Sequence, residues 1–360
     1  MALSIGIVGL PNVGKSTLFN ALTDNNILAA NYPFATIEPN TGVVPIPDPR
    51  LNKLAQLYGA QKTVPATVTF VDIAGLVAGA SQGEGLGNQF LANIRSVNAI
   101  AHVVRAFSDP NVQHISDQAD PWRDIEIINT ELALADLQTI GHRLPKLQKE
   151  AKADPKLKPQ VEVLEQTKKT LDEGKPLLAS SALAADSSQL QQLQLLSAKP
   201  VIYVFNVDEQ ALSDDAKKAS LAKLVSPAQS LFISAKLESE LSGLDQSDRA
   251  ELLASYGQAQ SGLIQLVQAA YDTLGLQSFL TAGQKEVRAW TIAKGSTAPQ
   301  AAGAIHTDFQ RGFIAAQVIS YADLIASGSE AAARAAGKVR TEGRDYVMRP
   351  DDVVEFRFNV

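Results

Sequence analysis

The sequence of 360 residues has no cysteine, two methionines, two tryptophans and four histidines. Without cysteine there is no disulfide framework, no cysteine-ligated zinc finger and no thiol nucleophile; a chain without thiols also fits a reducing compartment. Long hydrophobic runs are missing as well: none approaches the ~20 apolar residues that a membrane-spanning helix needs. The opening stretch, MALSIGIVGLPNVGKS, has neither the basic start nor the cleavage site of a signal peptide. Nor is there a surplus of positive charge. Against 38 Asp and Glu stand 32 Lys and Arg, a formal net of −6, so the molecule as a whole is not a generic polyanion binder. A soluble, cytoplasmic chain is expected, with no membrane and no DNA as partner.

What is present is organised. At 360 residues the chain exceeds one ordinary core, so two or three domains are expected. Apolar runs at 3–9, 67–73, 99–107, 200–206 and 231–235 read as buried strands separated by helix-length stretches. That alternation predicts an α/β domain with a parallel sheet wrapped on both faces. The interval between 107 and 200 is far longer than one crossover helix. Within it Ile125, Ile128, Leu132, Ala135, Ile140, Leu144 and Leu147 fall near helical spacing, and a second helical pattern runs over 160–172. This predicts an inserted helical hairpin with a basic tip of Arg143, Lys146, Lys149, Lys152, Lys156 and Lys158. Beyond 277 short strand-like pieces surround one small helical pattern, as in a compact α+β module. The expected domains are 1–123 with 198–276, the insertion 124–197, and 277–360.

Gly9 to Ser16, GLPNVGKS, matches G-x-x-x-x-G-K-[ST], directly after an apolar strand and before the helical TLFNAL. Such glycines let the backbone wrap a phosphate at a helix N-terminus. The expected nucleotide contacts are Asn12, Val13, Gly14, Lys15, Ser16 and Thr17, with Lys15 reaching the β- and γ-phosphates and Ser16 ligating Mg²⁺. Asp72-Ile-Ala-Gly75 ends the strand at 67–73, placing a carboxylate near Mg²⁺ and the Gly75 amide near the γ-phosphate. Thr36 lies between them in order, as a switch threonine sensing Mg²⁺ and γ-phosphate does. The metal set is therefore Ser16, Thr36 and Asp72.

The base should be read by Asn206, Val207 and Glu209 after one strand and by Ser234, Ala235 and Lys236 after the next. A guanine-reading loop has Asn-Lys-x-Asp, whose aspartate accepts from guanine N1–H and the 2-amino group. Here a longer acid, Glu209, stands at the discriminating position, and Val207 replaces the lysine. Losing a guanine-specific contact favours ATP over GTP; Asn206 can still serve adenine through N6 and N7. Leu76 follows Gly75 where Ras-like enzymes carry the glutamine that orients the attacking water. His114, in a polar loop, and a potassium ion held with the help of Asn12 are the candidates for that task. Lys15 and Gly75 complete the catalytic set.

These residues resemble a known family, the Obg-like ATPases of the YchF type. The resemblance rests on GLPNVGKST, NYPFATIEPNTGVVPIPDPRL, FVDIAGLVAGASQGEGLGNQFL, INTELALADL, KPVIYVFNVDE, AGQKEVRAWTIAKGSTAPQAAGAIHTDF and the ending DVVEFRFNV. It implies a Ras-like P-loop G domain, an inserted coiled-coil hairpin and a C-terminal TGS domain of β-grasp fold. It also implies ATP preference, Mg²⁺ dependence, potassium stimulation, a functional histidine matching His114 and association with the ribosome or a ribosomal subunit. A monomer is expected. The rival readings are a GTPase acting in ribosome assembly and a nucleotide-gated binding module that hardly turns over. Residues 277–360 carry ten Lys and Arg against nine Asp and Glu, too even to be a nucleic-acid domain by charge. The hairpin tip is the better local patch for phosphate contacts.

Overall fold

A computed structural model describes residues 3–24, 40–74, 86–109, 120–174, 177 and 193–359. In chain order the strands and first helices are β1 (Ser4–Val8), α1 (Lys15–Asp24), β2 (Thr41–Pro45), α2 (Pro49–Tyr58), β3 (Thr63–Val64), β4 (Thr67–Asp72), α3 (Leu86–Ser96) and β5 (Ala99–Ala106). The long α4 (Pro121–Ala153), α5 (Lys158–Asp172), β6 (Val201–Val207) and β7 (Gln229–Ile233) follow. Last come β8 (Leu276–Ala282), β9 (Val287–Ala293), β10 (Phe313–Ser320), β11 (Arg340–Glu342) and β12 (Asp352–Phe358). The chain divides into two compact units, 1–42 with 69–266 and 43–68 with 267–360.

The sheet of the first unit runs β4-β1-β5-β6-β7, and the pairs β1–β4, β1–β5, β5–β6 and β6–β7 are parallel. The apolar runs of the sequence become its strands. Ile5, Ile7, Val103, Val104, Val204 and Phe205 are all buried, as a sheet covered on both faces requires. The order reverses at β1, whose neighbours β4 and β5 leave on opposite sides. In open α/β sheets that switch point forms a crevice at the carboxyl ends of the strands.

The insertion is a helical hairpin. Asp120 caps α4 by accepting from the Arg123 amide at 3.1 Å, and Pro121 takes the first turn, where its missing N–H leaves nothing unsatisfied. Ile140, Leu147, Leu164, Leu171, Leu177 and Leu195 form a separate small core. Buried Asp136 accepts from the amides of Leu196 and Ser197, both at 2.8 Å, and from the Ser197 hydroxyl at 2.6 Å. Those bonds fix the returning chain just before β6. At the tip Lys146, Lys149, Lys152, Lys156 and Lys158 are exposed, while Arg143 pairs with Glu150 at 3.1 Å.

The second unit is a mixed sheet of order β11-β10-β12-β8-β9-β3. Its helix Ala298–Ile305 packs Ala298, Ala301 and Ala302 against Phe279, Phe313, Val318 and Val354. This is the α+β module expected from the sequence, with one difference. Residues 43–68, expected within the first domain, pack here instead. The reason is burial: Leu51 and Leu54 of α2 and Ala66 share a core with Leu280, Val287 and Ile319, while Thr63 and Val64 pair in parallel with Val287 and Arg288.

Candidate functional site

The phosphate loop is shaped by backbone sterics. A Cβ on Gly9 would stand 2.7 Å from the Val103 carbonyl oxygen, so only glycine lets β1 turn that close to β5. Asn12 and Gly14 take the left-handed region, at φ 62° and 92°. Asparagine tolerates that region better than most residues, and glycine fits it without strain. Gly14 has a second constraint, because a Cβ there would lie 2.2 Å from Asn206 Nδ2. Helix α1 starts at Lys15, and the Leu18 amide closes on the Gly14 carbonyl at 3.0 Å.

Asn206, at the end of β6 and 7% exposed, joins the two halves of the site. Its amide nitrogen donates to the Val13 carbonyl at 2.9 Å, and its oxygen accepts from the Ala235 amide at 3.0 Å. Ser234 caps the helix Ala235–Leu241, accepting from the Leu237 amide at 3.3 Å. Inside that helix buried Glu238 accepts from the Ser261 hydroxyl at 2.5 Å and the Gly262 amide at 2.6 Å, and burial pushes its carboxyl up from the ordinary range. Lys15, nearly buried, forms an ion pair with Asp72 of β4.

Around these residues opens a cleft of about 1110 Å³ at the carboxyl ends of β1, β4, β5, β6 and β7. Asn12, Gly14, Lys15, Ser16, Thr17 and Asp72 line one end; Asn206, Val207, Glu209, Ser234, Ala235 and Lys236 line the other. Val13 reaches the site by its carbonyl, its side chain being buried. Val207 also turns into the core, packing with Val104, Leu212 and Leu237. At the far end Lys236 Nζ lies 3.0 Å from Glu209 Oε1. The Glu209 backbone amide, followed by Lys236, holds that carboxyl below its ordinary range. Thr36, Gly75, Leu76 and His114 lie outside the described residues.

The sequence reading missed Phe107, Ser108, Asp109, Ser239 and Glu240, which also line the cleft. The first three follow β5, and buried Arg105 shapes their turn. Its guanidinium sits 4.5 Å from the Phe107 ring centroid and donates to the Asp109 carbonyl at 3.2 Å. Their signal was positional: every parallel strand of the sheet delivers its carboxyl end to the same crevice.

Comparison with known proteins places the chain. It is 49% identical over 366 residues, covering all of both chains, to the Ribosome-binding ATPase YchF of Bacillus subtilis. The chain belongs to the YchF family. The YchF structure of Schizosaccharomyces pombe, titled a YchF GTPase, superposes with a TM-score of 0.88 at 37% identity, over 99% of this chain and 97% of that one. A GTP binding protein from Pyrococcus horikoshii shares the fold at 23% identity and a TM-score of 0.63, over 99% of this chain and 100% of that one. The family model YchF-GTPase_C, described as a protein of unknown function (DUF933), matches residues 276–359. The model MMR_HSR1, described as a 50S ribosome-binding GTPase, matches residues 4–143. The chain is thus a P-loop nucleoside triphosphatase of YchF type, with the family's C-terminal domain.

Proposed function

We propose that the chain is a ribosome-associated ATPase that uses ATP in preference to GTP and works as a nucleotide-dependent switch. The observation that carries this reading is the cleft itself. Asn206 ties the phosphate loop to the Ala235 turn, and Glu209 stands where a guanine-reading aspartate would be. Full-length relatives named ribosome-binding ATPase support the ribosome association and the ATPase activity. The domain plan that goes with it is a G domain of 1–123 and 198–276 without 43–68, a helical insertion of 124–197, and a C-terminal domain of 277–360 with which 43–68 pack. The exposed lysines at the hairpin tip are the ribosome-facing patch, and the working form is a cytoplasmic monomer.

The metal of this reading is Mg²⁺. Among the described residues no three His, Cys, Asp or Glu gather to cage an ion. Beside Lys15, at the phosphate end of the cleft, Ser16 brings a hydroxyl and Asp72 a carboxylate. That all-oxygen pair suits a small hard cation that keeps its waters and takes one or two protein ligands beside the phosphates. When bound, the ion neutralises charge on the β- and γ-oxygens. Ser16 and Asp72, with Thr36, would hold it; Lys15 supplies the second positive charge, and the Asn12, Val13, Gly14 and Thr17 backbone wraps the phosphates. Gly75 would donate its amide to the γ-phosphate. His114, or a potassium ion beside Asn12, would place the water that Leu76 cannot orient.

Steady-state phosphate release from ATP and from GTP, with and without ribosomes and potassium, tests the proposal. Repeated turnover of ATP, faster than of GTP and raised by ribosomes, is the expected outcome. Turnover of GTP alone would return the chain to the GTPases, and no repeated turnover would leave a nucleotide-gated binding module.

A further inference from the structure

Lys236 and Glu209 arrive at the base end of the cleft from different strands. Glu209 opens the turn Glu209–Ser213 after β6, and Lys236 is the second residue of the helix after β7. The Lys236 side chain is 75% exposed and the Glu209 side chain only 20%, so the acid is seated and the ammonium reaches over to it. The carboxylate also accepts from its own backbone amide.

An acid reads guanine by turning two acceptor oxygens toward two neighbouring donors, N1–H and the 2-amino group. Recognition of that parallel kind depends on a fixed planar fork. Here one oxygen of that fork, Oε1, is held by Lys236 before any base arrives. Adenine brings an acceptor at N1 and no 2-amino donor, so it loses nothing when the acid is withheld. Discrimination of this sort comes from disfavouring the wrong partner rather than from a new contact with the right one.

We propose that Lys236 is a specificity-determining residue: by holding the Glu209 carboxylate it denies guanine its acceptor pair and tips the site toward adenine. The proposal deepens the ATP reading above and rests on it. Because exposed ion pairs are weak, the expected effect is about two- to fivefold in relative affinity.

The test is the ratio of the GTP to the ATP dissociation constant, measured by calorimetry on the full chain with Mg²⁺. In the wild type the ratio exceeds one. Lys236→Met, which keeps the stem and drops the charge, lowers it about two- to fivefold, while Lys236→Arg keeps it near wild type. In a Glu209→Gln background, adding Lys236→Met changes nothing, because no carboxylate is left to hold. High salt, which screens an exposed pair, moves the wild-type ratio toward that of Lys236→Met. An unchanged ratio in Lys236→Met, beside a wild type that prefers ATP, overturns this proposal alone. An equal drop in the Glu209→Gln background also overturns it, since Lys236 would then act on the nucleotide directly. A wild-type ratio of one or less overturns the ATP reading and this proposal together.

Discussion

The two ends of the cleft are built by different means. At the phosphate end the backbone is the device: Gly9 beneath Val103, the left-handed Asn12 and Gly14, and a buried Asn206 whose two hydrogen bonds lock the loop. At the base end the device is a pair of side chains, one of them mostly in solvent. Steric exclusion and buried hydrogen bonds are strong and permit few substitutes, whereas an exposed ion pair contributes little. Under the proposed function the contrast teaches that holding triphosphate is fixed by the fold, while the choice of base rests on small differences.

Substitutions should therefore fall in a graded order. Lys15→Ala removes the only lysine at the phosphate end of the cleft among the described residues and should cut single-turnover phosphate release by roughly a hundredfold or more, as losing one preorganised charge-stabilising group does. A loss below about tenfold would break the contrast at its strong end. Asn206→Ala comes next. It strands the Val13 carbonyl and the Ala235 amide, at about 1–3 kcal/mol for each group left unsatisfied. Denaturant unfolding should report lower stability, and titration should report weaker binding of ATP and GTP alike. An effect on one nucleotide only would make Asn206 a base reader rather than the tie between the two ends. The Lys236→Met change in the affinity ratio is smaller again.

The pH response should be smallest. Glu209 is held below the ordinary carboxylate pKa of 4.5. A depressed carboxyl contributes its interaction above the unfolded value and loses it only as pH falls through the folded one. Between pH 6 and 8 the ratio of GTP to ATP affinity should therefore stay flat. A slope in that window would mean that another group titrates at the base end.

The same contrast explains what the sequence revealed. Gly9 and Gly14 were legible because each answers a local backbone demand that few residues meet, and Lys15, Asn206 and Ala235 because each stands at its place in a recognisable motif. Strands β1, β4, β5, β6 and β7 were legible as apolar runs, whereas the short β2 was not read as a strand. Helix α2 is equally well signalled: Asp48 accepts from the Arg50 amide, Pro49 takes the first turn and Gly59 ends the helix at φ 60°. Those local signals say that a helix forms there. They do not say that Leu51 and Leu54 will bury against Leu280 and Val287, more than 200 residues away, so the grouping of 43–68 was misread. The Glu209–Lys236 pair was hidden for a related reason. Each residue was recognised in its own motif, yet their meeting depends on β6 and β7 lying side by side. Phe107, Ser108 and Asp109 carry no motif and became visible only as the carboxyl end of β5.

The central claim is that this phosphate-loop fold has been turned from guanine toward adenine. Equilibrium titration of the wild-type chain with ATP and with GTP, both with Mg²⁺, tests it most directly. The account predicts tighter binding of ATP; GTP bound tighter by about tenfold, or 1.4 kcal/mol, would contradict it.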